Sequence, residues 1–364
     1  MTAARVARVL MTADTVGGVW TYALDLAGAL AADGIAVALA TMGPAPSPAQ
    51  AGAALVVPGL TLHPSTFALE WMPGCWDDVD AAGAWLLALE REVGADVIHL
   101  NGYAHAALPF AAPVVVVAHS CVCSWWRAVK GGDAPPAWDE YRRRVAAGLA
   151  AADAVVAPTG AILAAVLAAH GAPAPARARV ILNGRDPSGF TAAAGEPLVL
   201  GAGRLWDEAK NLAALDACVD RSPWPIYVAG PPAPPGITAA PEAGPAAIRL
   251  GALAPAELAA WMRRATIFAA PARYEPFGLT AVEAALSGCA LILGDLASLR
   301  EVWDDAAVYV SPDDPAALGA AIDALAGDRA TRGALATRAE RRARALTPAR
   351  MARAYASLYR EVCA

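Results

Sequence analysis

Two glutamates in the C-terminal half of the sequence are spaced for joint action on one ligand. Glu275 and Glu283 are eight residues apart in ARYEPFGLTAVEAALSGCALILGD (272 to 295). A helix that starts near Leu279 or Thr280 holds Glu283 in its first turns and leaves Glu275 in the preceding loop. Because an ionised carboxylate accepts several hydrogen bonds, the pair suits a ligand rich in hydroxyl groups.

The start of the same predicted helix offers backbone donors. The N–H groups of Phe277, Gly278 and Leu279 have no helical acceptor and point out of the helix N-terminus. Anions and sugar hydroxyls are well held at such a terminus. We therefore expect these three amides to face the ligand of the two glutamates.

Two cations follow an earlier strand-like run. The segment GAGRLWDEAKNL places Arg204 and Lys210 just beyond that run, at the entry to a helix. Only two of the 28 basic residues are lysines, so a lysine has persisted here against a strong bias toward arginine. Two cations at the mouth of a sheet can hold a diphosphate from both sides. Surface ion pairing with Asp207 and Glu208 is the alternative.

The bulk properties limit the class of protein. A chain of 364 residues exceeds one ordinary core, which favours two domains. Mean hydropathy is +0.41, yet no window holds about 18 uninterrupted apolar residues. The first residues lack the apolar core of a signal peptide, so we expect a cytoplasmic protein without a transmembrane segment. The net charge of −6 argues against nucleic acid as a partner.

Metal and disulfide chemistry are not expected. Six cysteines are scattered along the chain and do not form a disulfide framework, so we predict reduced thiols. Cys121 and Cys123 form a C-x-C pair, but two thiolates do not complete a tetrahedral metal site. No D-x-D segment is placed to bind a divalent cation.

Short apolar runs, each closed by polar or glycine residues, alternate with segments of helical spacing. Each run suits a parallel strand that is covered on both faces. Alternating strands and helices predict doubly wound sheets, and two consecutive sets predict two Rossmann-like domains. The predicted strands are 4–14, 35–41, 96–102, 113–120, 153–160 and 179–186, followed by 198–205, 225–232, 247–253, 266–273 and 290–295.

The boundary between the domains is predicted in GRDPSGFTAAAGEP, between Gly184 and Pro197, where glycine and proline interrupt regular structure. We assign the N-terminal domain to residues 1–186 and the C-terminal domain to 187–346.

The last helix has its own start signal. Thr347 is a candidate N-cap with Pro348 in the first helical position, and the helix is predicted to run to about Val362. We expect the segment 347–364 to pack back on the N-terminal domain. Eight arginines lie between Arg329 and Arg353. A solvated helical face explains them; contact with an anionic lipid or acceptor is the alternative, so peripheral membrane contact stays open.

Four segments together resemble one enzyme family. The E-P-F-G-L-T-x-x-E segment, followed by A-x-x-x-G, resembles the E-x7-E motif of the retaining glycosyltransferases of family 4. The G-R-L and K-N residues of 201–212 resemble that family's diphosphate-binding segment. VILNGRDPSGF resembles its interdomain signature, and TVGGVWTYALDLAGAL resembles its N-terminal glycine loop. The four occur in the family's order from residue 15 to 295, and the closing helix matches as well.

This resemblance implies the GT-B fold, an α/β architecture of two Rossmann-like doubly wound parallel-sheet domains facing a central cleft. It implies an acceptor site on the N-terminal domain and a nucleotide-sugar donor site on the C-terminal domain. Glu283 is expected to bind the donor ribose, and Glu275, with the amides of 277–279, to hold the transferred sugar. Arg204 and Lys210 are expected to neutralise the departing diphosphate.

Three N-terminal residues gain roles by the same resemblance. His119, at the end of the VVVVAHS run, matches the histidine that contacts the donor sugar and the developing charge. A structural histidine is the alternative for a residue at a strand end. Gly17 and Gly18 are expected to bring backbone N–H groups near the phosphates or the acceptor. His119, Arg204, Lys210 and Glu275 form the predicted catalytic set.

The acceptor site is expected among aromatic segments of the N-terminal domain. Indole rings can stack on a sugar or polyol, and loop packing is the alternative. A polar loop after a strand can line the same site. The candidate acceptor residues are Trp71, Trp76, Asn101, Tyr103, His105, Trp125 and Trp126.

The sequence therefore predicts a retaining, metal-independent hexosyltransferase (EC 2.4). It would move a sugar from a nucleoside diphosphate sugar to a hydroxyl acceptor, which can be a sugar, a polyol, a lipid-linked compound or a small molecule. The nucleotide sugar is a substrate, no cofactor is expected, and UDP or GDP is expected before ADP or dTDP. The alternatives are a GT-B epimerase or phosphorylase and a non-catalytic nucleotide-sugar-binding protein. A Rossmann dehydrogenase is disfavoured because the third glycine of its fingerprint is missing.

Overall fold

The protein is described by a computed structural model that covers residues 6–171, 177–233 and 247–364. Its contacts divide the chain into two compact units: unit 1, Met1–Gly184 with Pro348–Ala364, and unit 2, Arg185–Thr347. The predicted boundary followed residue 186, and the observed one follows Gly184. Each unit contains one parallel sheet with helices around it, which confirms the predicted α/β fold class.

Unit 1 is built on a seven-stranded sheet. Its strands are β1 Arg8–Asp14, β2 Ala36–Met42, β3 Leu60–Pro64, β4 Val97–Leu100, β5 Val114–Val117, β6 Ala154–Ala157 and β7 Ala178–Val180. The order across the sheet is β3-β2-β1-β4-β5-β6-β7, and every described pair is parallel. The order reverses direction at β1, where β4 joins the other edge of that strand. Such a switch point is where open α/β sheets bind ligands.

Helices connect these strands. They are α1 Gly18–Ala32, α2 Pro48–Leu55, α3 Trp76–Val93, α4 Val122–Lys130, α5 Asp139–Ala151 and α6 Gly160–His170, with short 3₁₀ helices at Ala104–Ala107 and Pro136–Trp138.

Unit 2 repeats the arrangement with six strands. They are β8 Glu196–Ala202, β9 Ile226–Ala229, β10 Ile248–Gly251, β11 Ala265–Ala270, β12 Ala290–Gly294 and β13 Val308–Val310, in the order β10-β9-β8-β11-β12-β13. The described pairs are again parallel. The helices are α7 Pro255–Arg264, α8 Leu279–Leu286, α9 Ala297–Trp303, α10 Pro315–Gly327 and α11 Arg329–Arg344, with 3₁₀ helices at Pro187–Gly189 and Leu212–Cys218.

The closing helix α12, Pro348–Val362, belongs to unit 1. Its bounds confirm the predicted start at Pro348 and end at Val362. Tyr355 and Tyr359 are fully buried in the same apolar cluster as Tyr22 of α1. The helix therefore completes the core of unit 1 although unit 2 separates it from the rest of that unit along the chain.

Two strands were not predicted. The strand β3 is only half-buried and carries His63, and β13 is three residues long. Both lie at a sheet edge, where burial on two faces no longer demands a continuous apolar run. Positions 4 and 5 of the first predicted strand lie outside the described residues. Within the described ranges, no helix is both long and apolar enough to cross a membrane.

A close approach in unit 1 makes one glycine essential. A Cβ on Gly148 of α5 would lie 2.0 Å from the carbonyl oxygen of Tyr103, which lies in the loop after β4. We predict that Gly148→Ala destabilises the protein by about 1–3 kcal/mol or more, because overpacking against backbone forces a shift. Gly52→Ala is the control, since Gly52 also lies in a helix and nothing lies within 4 Å of its added methyl. Replacing glycine there should stabilise by about 0.5–1 kcal/mol. Urea unfolding measures both, and equal stability of the two variants would contradict the prediction.

Candidate active site

Two loops of unit 2 are joined by backbone and amide hydrogen bonds. The N–H of Arg273 donates to the carbonyl of Ala209 at 2.8 Å. The side-chain amide of Asn211 donates to the carbonyls of Pro271 and Pro312, each at 2.8 Å. Asn211 holds a left-handed conformation, φ 53°, which asparagine tolerates better than most residues. The loop after β8 is thereby fixed against the loop after β11.

This junction brings Lys210 and Glu275 together. The Lys210 Nζ donates to Glu275 Oε2 at 2.7 Å, and both side chains are largely buried. The backbone carbonyl of Glu275 accepts from Ser298 Oγ at 2.6 Å, which fixes the loop from the other side. One cation and one carboxylate of the predicted set therefore occupy the same place.

The helix α8 begins at Leu279, as the sequence predicted. Gly278 precedes it in the left-handed region, with φ +84°, which favours glycine. A Cβ at this position would also lie 3.5 Å from Glu275 Cγ. Phe277 is buried at 3% exposure, so its aromatic ring packs in the interior. The start of α8 and Glu275 are thus neighbours.

Arg204 is held by the ion pair that the sequence offered as an alternative. Its Nη2 donates to Asp207 Oδ2 at 2.6 Å. Its Nε is shielded from solvent and has no hydrogen-bond partner among the described residues, and the same holds for Nε1 of Trp206. The guanidinium carbon lies 5.4 Å from the Trp206 ring centroid. Buried donors are nearly always bonded, so each of these two N–H groups is available to an acceptor.

Glu283 has a partner that sequence reasoning missed. Arg185 Nε donates to Glu283 Oε1 at 2.7 Å, and the two side chains are 18% and 14% exposed. Burial raises the pKa of Glu283, whereas the Arg185 charge and hydrogen bond act in the opposite direction. The carboxylate expected to bind a ribose is therefore paired within unit 2. Arg185 follows Asn183 and Gly184 in the predicted interdomain signature, and its position there was the available signal.

In unit 1, Asn101 joins two strand ends. Its Nδ2 donates to the carbonyl of Thr12 at 2.7 Å, which fixes Oδ1 as the acceptor. The Nε2 atoms of His119 and His99 lie 2.8 and 3.2 Å from that oxygen. Both histidines therefore donate from Nε2, and Nδ1 of each ring is an acceptor. For His99 that acceptor receives the Tyr359 hydroxyl at 2.6 Å.

Both histidines are neutral at ordinary pH. Burial lowers the pKa of His99 to about 3, with the nearby His119 adding to the effect. Burial alone lowers the pKa of His119 to about 3. Tyr22 packs edge-on against His119 with ring centroids 4.5 Å apart. The predicted His119 is consequently a fixed, uncharged ring at the end of β5.

The glycine loop differs in detail from the prediction. Asp14 Oδ1 accepts the N–H groups of Val16 at 2.8 Å and Gly17 at 3.1 Å. The Gly17 amide is thus engaged by Asp14, because the carboxylate at the end of β1 turns the chain into α1. Gly18 is the exposed first residue of that helix.

The candidate acceptor residues separate into two groups. Trp71, Asn101 and His105 line one cavity of unit 1, together with Asp14 and Glu70. Tyr103, Trp125 and Trp126 are not among its lining residues. Tyr103 is buried, and its hydroxyl donates to the Ser120 carbonyl at 2.8 Å. Trp125 and Trp126 contact each other edge to face within α4. Trp76 lies under the Arg144 guanidinium.

The arginines of α11 bond mainly within unit 2. Arg342 lies 3.6 Å from Asp304, and Arg344 lies 2.7 Å from Glu340. No disulfide joins the cysteines in the part of the chain that the structure describes. The same part contains no group of three or more His, Cys, Asp or Glu side chains that could hold a metal ion.

Comparisons with known proteins identify both units. The model of Glycosyltransferase Family 4 matches residues 16–188, and that of Glycosyl transferases group 1 matches residues 196–328. The chain has the GT-B fold, with two parallel-sheet α/β domains that match the structures of GT-B glycosyltransferases. It is similar to sucrose-phosphate synthase from Thermosynechococcus elongatus, with 20% identity over 97% of this chain and 98% of that one and a TM-score of 0.79. It is also similar to Anabaena HepE in complex with UDP-glucose, with 16% identity over 96% and 98% of the chains and a TM-score of 0.75. Identities this low show a shared fold.

A curated relative matches a shorter part. Glycogen synthase of Mycobacterium tuberculosis is 38% identical over 98 residues, which is 26% of this GT-B chain. The match spans 22% of the length of that relative.

The neutral histidines lead to a prediction about pH. Because the pKa of His99 and His119 falls from 6.5 to about 3 on folding, the unfolded chain binds more protons between these values. Their contribution to stability is present above pH 6.5 and is lost as the pH falls toward 3. With five histidines in the chain, selective ¹³C labelling resolves each ring by NMR, and residue variants assign the signals. Neither signal should titrate between pH 5 and 8; a midpoint above 5 for either ring would refute the assignment.

The Arg185–Glu283 pair leads to a prediction about stability. Glu283→Gln should destabilise the protein by about 3–5 kcal/mol, because it removes the charge of one partner from a buried ion pair. The double variant Arg185→Met with Glu283→Gln should recover part of that loss. Glu196→Gln is the control, since it removes the exposed Arg264–Glu196 pair and should cost about 0–1 kcal/mol. Urea unfolding compares them, and equal losses for Glu283→Gln and Glu196→Gln would show that the buried pair does not stabilise unit 2.

Proposed function

We propose that this protein is a retaining, metal-independent hexosyltransferase. It transfers a glycosyl group from a nucleoside diphosphate sugar on unit 2 to a hydroxyl acceptor on unit 1. The proposal is carried by the Lys210–Glu275 contact of 2.7 Å beside the start of α8. The unpartnered Nε of Arg204 supports it.

The charges suit a diphosphate leaving group. A lysine ammonium has three N–H donors, so a bond to Glu275 leaves two for phosphate oxygens. Arg204 adds a guanidinium with a buried donor that lacks an acceptor. Cleavage of the glycosyl–phosphate bond moves its electron pair onto a phosphate oxygen, and fixed cations stabilise that charge as it develops.

The sugar would lie between this leaving group and Glu275. The Glu275 carboxylate accepts hydrogen bonds from the hydroxyl groups of the sugar, and the amides at the start of α8 donate to them. The neutral ring of His119, with Nδ1 as an acceptor, suits a hydroxyl of the transferred sugar better than a phosphate. Glu283 accepts from Arg185 with Oε1, and its other carboxylate oxygen would accept a hydroxyl of the donor ribose.

The anomeric configuration is retained because the acceptor oxygen attacks the anomeric carbon on the same face from which the diphosphate departs. The acceptor oxygen bonds to the anomeric carbon, the bond to the phosphate oxygen breaks, and the acceptor proton passes to that phosphate. No base from the protein is required, which agrees with a His119 whose pKa is too low for proton uptake near neutral pH. The donor is proposed to be a UDP-sugar, because the similar HepE was solved with UDP-glucose.

Donor binding and turnover test the proposal together. We predict that, in the presence of EDTA, UDP-glucose raises the melting temperature of the protein more than GDP-glucose, ADP-glucose or dTDP-glucose does. Lys210→Ala should lower kcat by about 10²–10³, the effect of removing one fixed charge-stabilising group. The control Arg264→Ala removes an exposed cation of the same unit and should leave turnover unchanged.

Product analysis by NMR should show the anomeric configuration of the donor. Turnover of Lys210→Ala at the rate of Arg264→Ala would remove the diphosphate assignment. An inverted product would remove the same-face mechanism, and binding without any transfer or donor hydrolysis would favour a non-catalytic binding protein.

A further inference from the structure

Unit 1 contains a cavity at the carboxyl ends of its central strands. The space among its lining atoms is about 490 Å³, part of which is open to solvent. It opens beside the switch point between β1 and β4, where open α/β sheets place ligands. The lining residues are Thr12, Ala13, Asp14, Met42, Ala68, Leu69, Glu70, Trp71, Leu100, Asn101, Gly102 and His105.

The charged groups of this cavity are both acidic. Asp14 and Glu70 are carboxylates, and the lining residues include no lysine or arginine. Burial lowers the pKa of His105, whereas the hydrogen bond from its Nε2 to the Val79 carbonyl at 2.9 Å acts in the opposite direction. A phosphate or carboxylate placed here would meet like charge without a compensating cation from the cavity wall.

Glu70 is held in place by backbone rather than by a cation. Its Oε2 accepts from the N–H groups of Ala104 at 2.8 Å and Tyr103 at 3.1 Å. A carboxylate can accept about four hydrogen bonds, so capacity remains for hydroxyl donors from a ligand. Burial raises the pKa of Glu70, against the effect of the two backbone bonds. A hydroxyl donor would restore part of the lost solvation.

Trp71 provides an apolar surface in the same cavity. It is 40% exposed, which is unusual for an indole in this protein and leaves one region of the ring accessible. The apolar face of a pyranose or polyol packs well on such a ring. Carboxylate oxygens next to an accessible indole match a compound that is rich in hydroxyl groups and carries no negative charge.

We infer that this cavity binds an uncharged polyhydroxylated acceptor, with Glu70 accepting its hydroxyl groups and Trp71 stacking on its ring, and that it disfavours acceptors carrying phosphate or carboxylate. The inference rests on the proposed function. It adds Glu70, which the sequence did not single out, as the residue that selects the acceptor by charge.

Matched acceptors test this selection. The wild-type protein is assayed with UDP-glucose and three pairs: glucose and glucose 6-phosphate, fructose and fructose 6-phosphate, glycerol and glycerol 3-phosphate. We expect kcat/KM for an uncharged member to exceed that of its phosphorylated partner by about tenfold or more, because like charges in a desolvated site repel strongly. Glu70→Gln should reduce that ratio. Trp71→Ala should raise KM for uncharged acceptors while leaving the effect of UDP on the melting temperature unchanged, and Trp71→Phe should restore part of the affinity.

The outcomes separate the inference from the function on which it rests. Equal or better use of the phosphorylated members would overturn the inference and leave the proposed function standing. The inference would also be overturned, and the proposed function left standing, if none of the six acceptors received glucose while UDP still raised the melting temperature and UDP-glucose was slowly hydrolysed. Loss of UDP binding altogether would remove the proposed function, and the inference with it. If Glu70→Gln fails to fold, the wild-type ratios and the two Trp71 variants still decide.

Discussion

Burial of both faces of each sheet is the constraint on which the rest of this structure depends. Strands such as β4 and β5 are apolar throughout except for His99, so polar groups must gather where the strands end. Because the strands of a sheet are parallel, these ends meet at one edge. Asp14, Asn101 and His119 follow from this rule in unit 1. In unit 2, Lys210 and Glu275 follow β8 and β11, which are neighbours in the sheet.

Proximity at a sheet edge is not sufficient for function, because loop side chains also need fixed orientations. In unit 2, Asn211 supplies that order by bonding to the carbonyls of Pro271 and Pro312. In unit 1, Asn101 plays the corresponding part by bonding to Thr12 and accepting from two histidines. Two of the three asparagines of a chain that rarely uses this residue thus hold the loops of its two candidate sites. An amide can donate and accept at once without carrying charge, which suits a buried junction.

The sequence was sufficient for the fold class because buried parallel strands leave a strong pattern. It also predicted the start of α8 at Leu279 and the bounds of α12, since glycine and proline mark those ends chemically. It could not predict partners that depend on tertiary packing. Arg185 lies 98 residues before Glu283, and although its place in the interdomain signature marks it as a candidate, the local pattern of neither residue shows that they pair. Glu70 was missed for the same reason, because its bonds to the loop after β4 arise only in the folded chain.

The two units differ in the charge they offer to a ligand, and this difference has a consequence under the proposed function. Unit 2 presents Lys210, whose partner Glu275 neighbours the start of α8, and Arg204, which pairs with Asp207, whereas the cavity of unit 1 presents Asp14 and Glu70. A nucleoside diphosphate is attracted by the first set and repelled by the second. An uncharged acceptor gains little from the cations but can donate hydroxyl hydrogens to the carboxylates. Each substrate would therefore be kept from the other's site by charge, so that a high concentration of one need not block binding of the other. A phosphorylated acceptor would lose that separation, since it would compete with the donor for the same two cations.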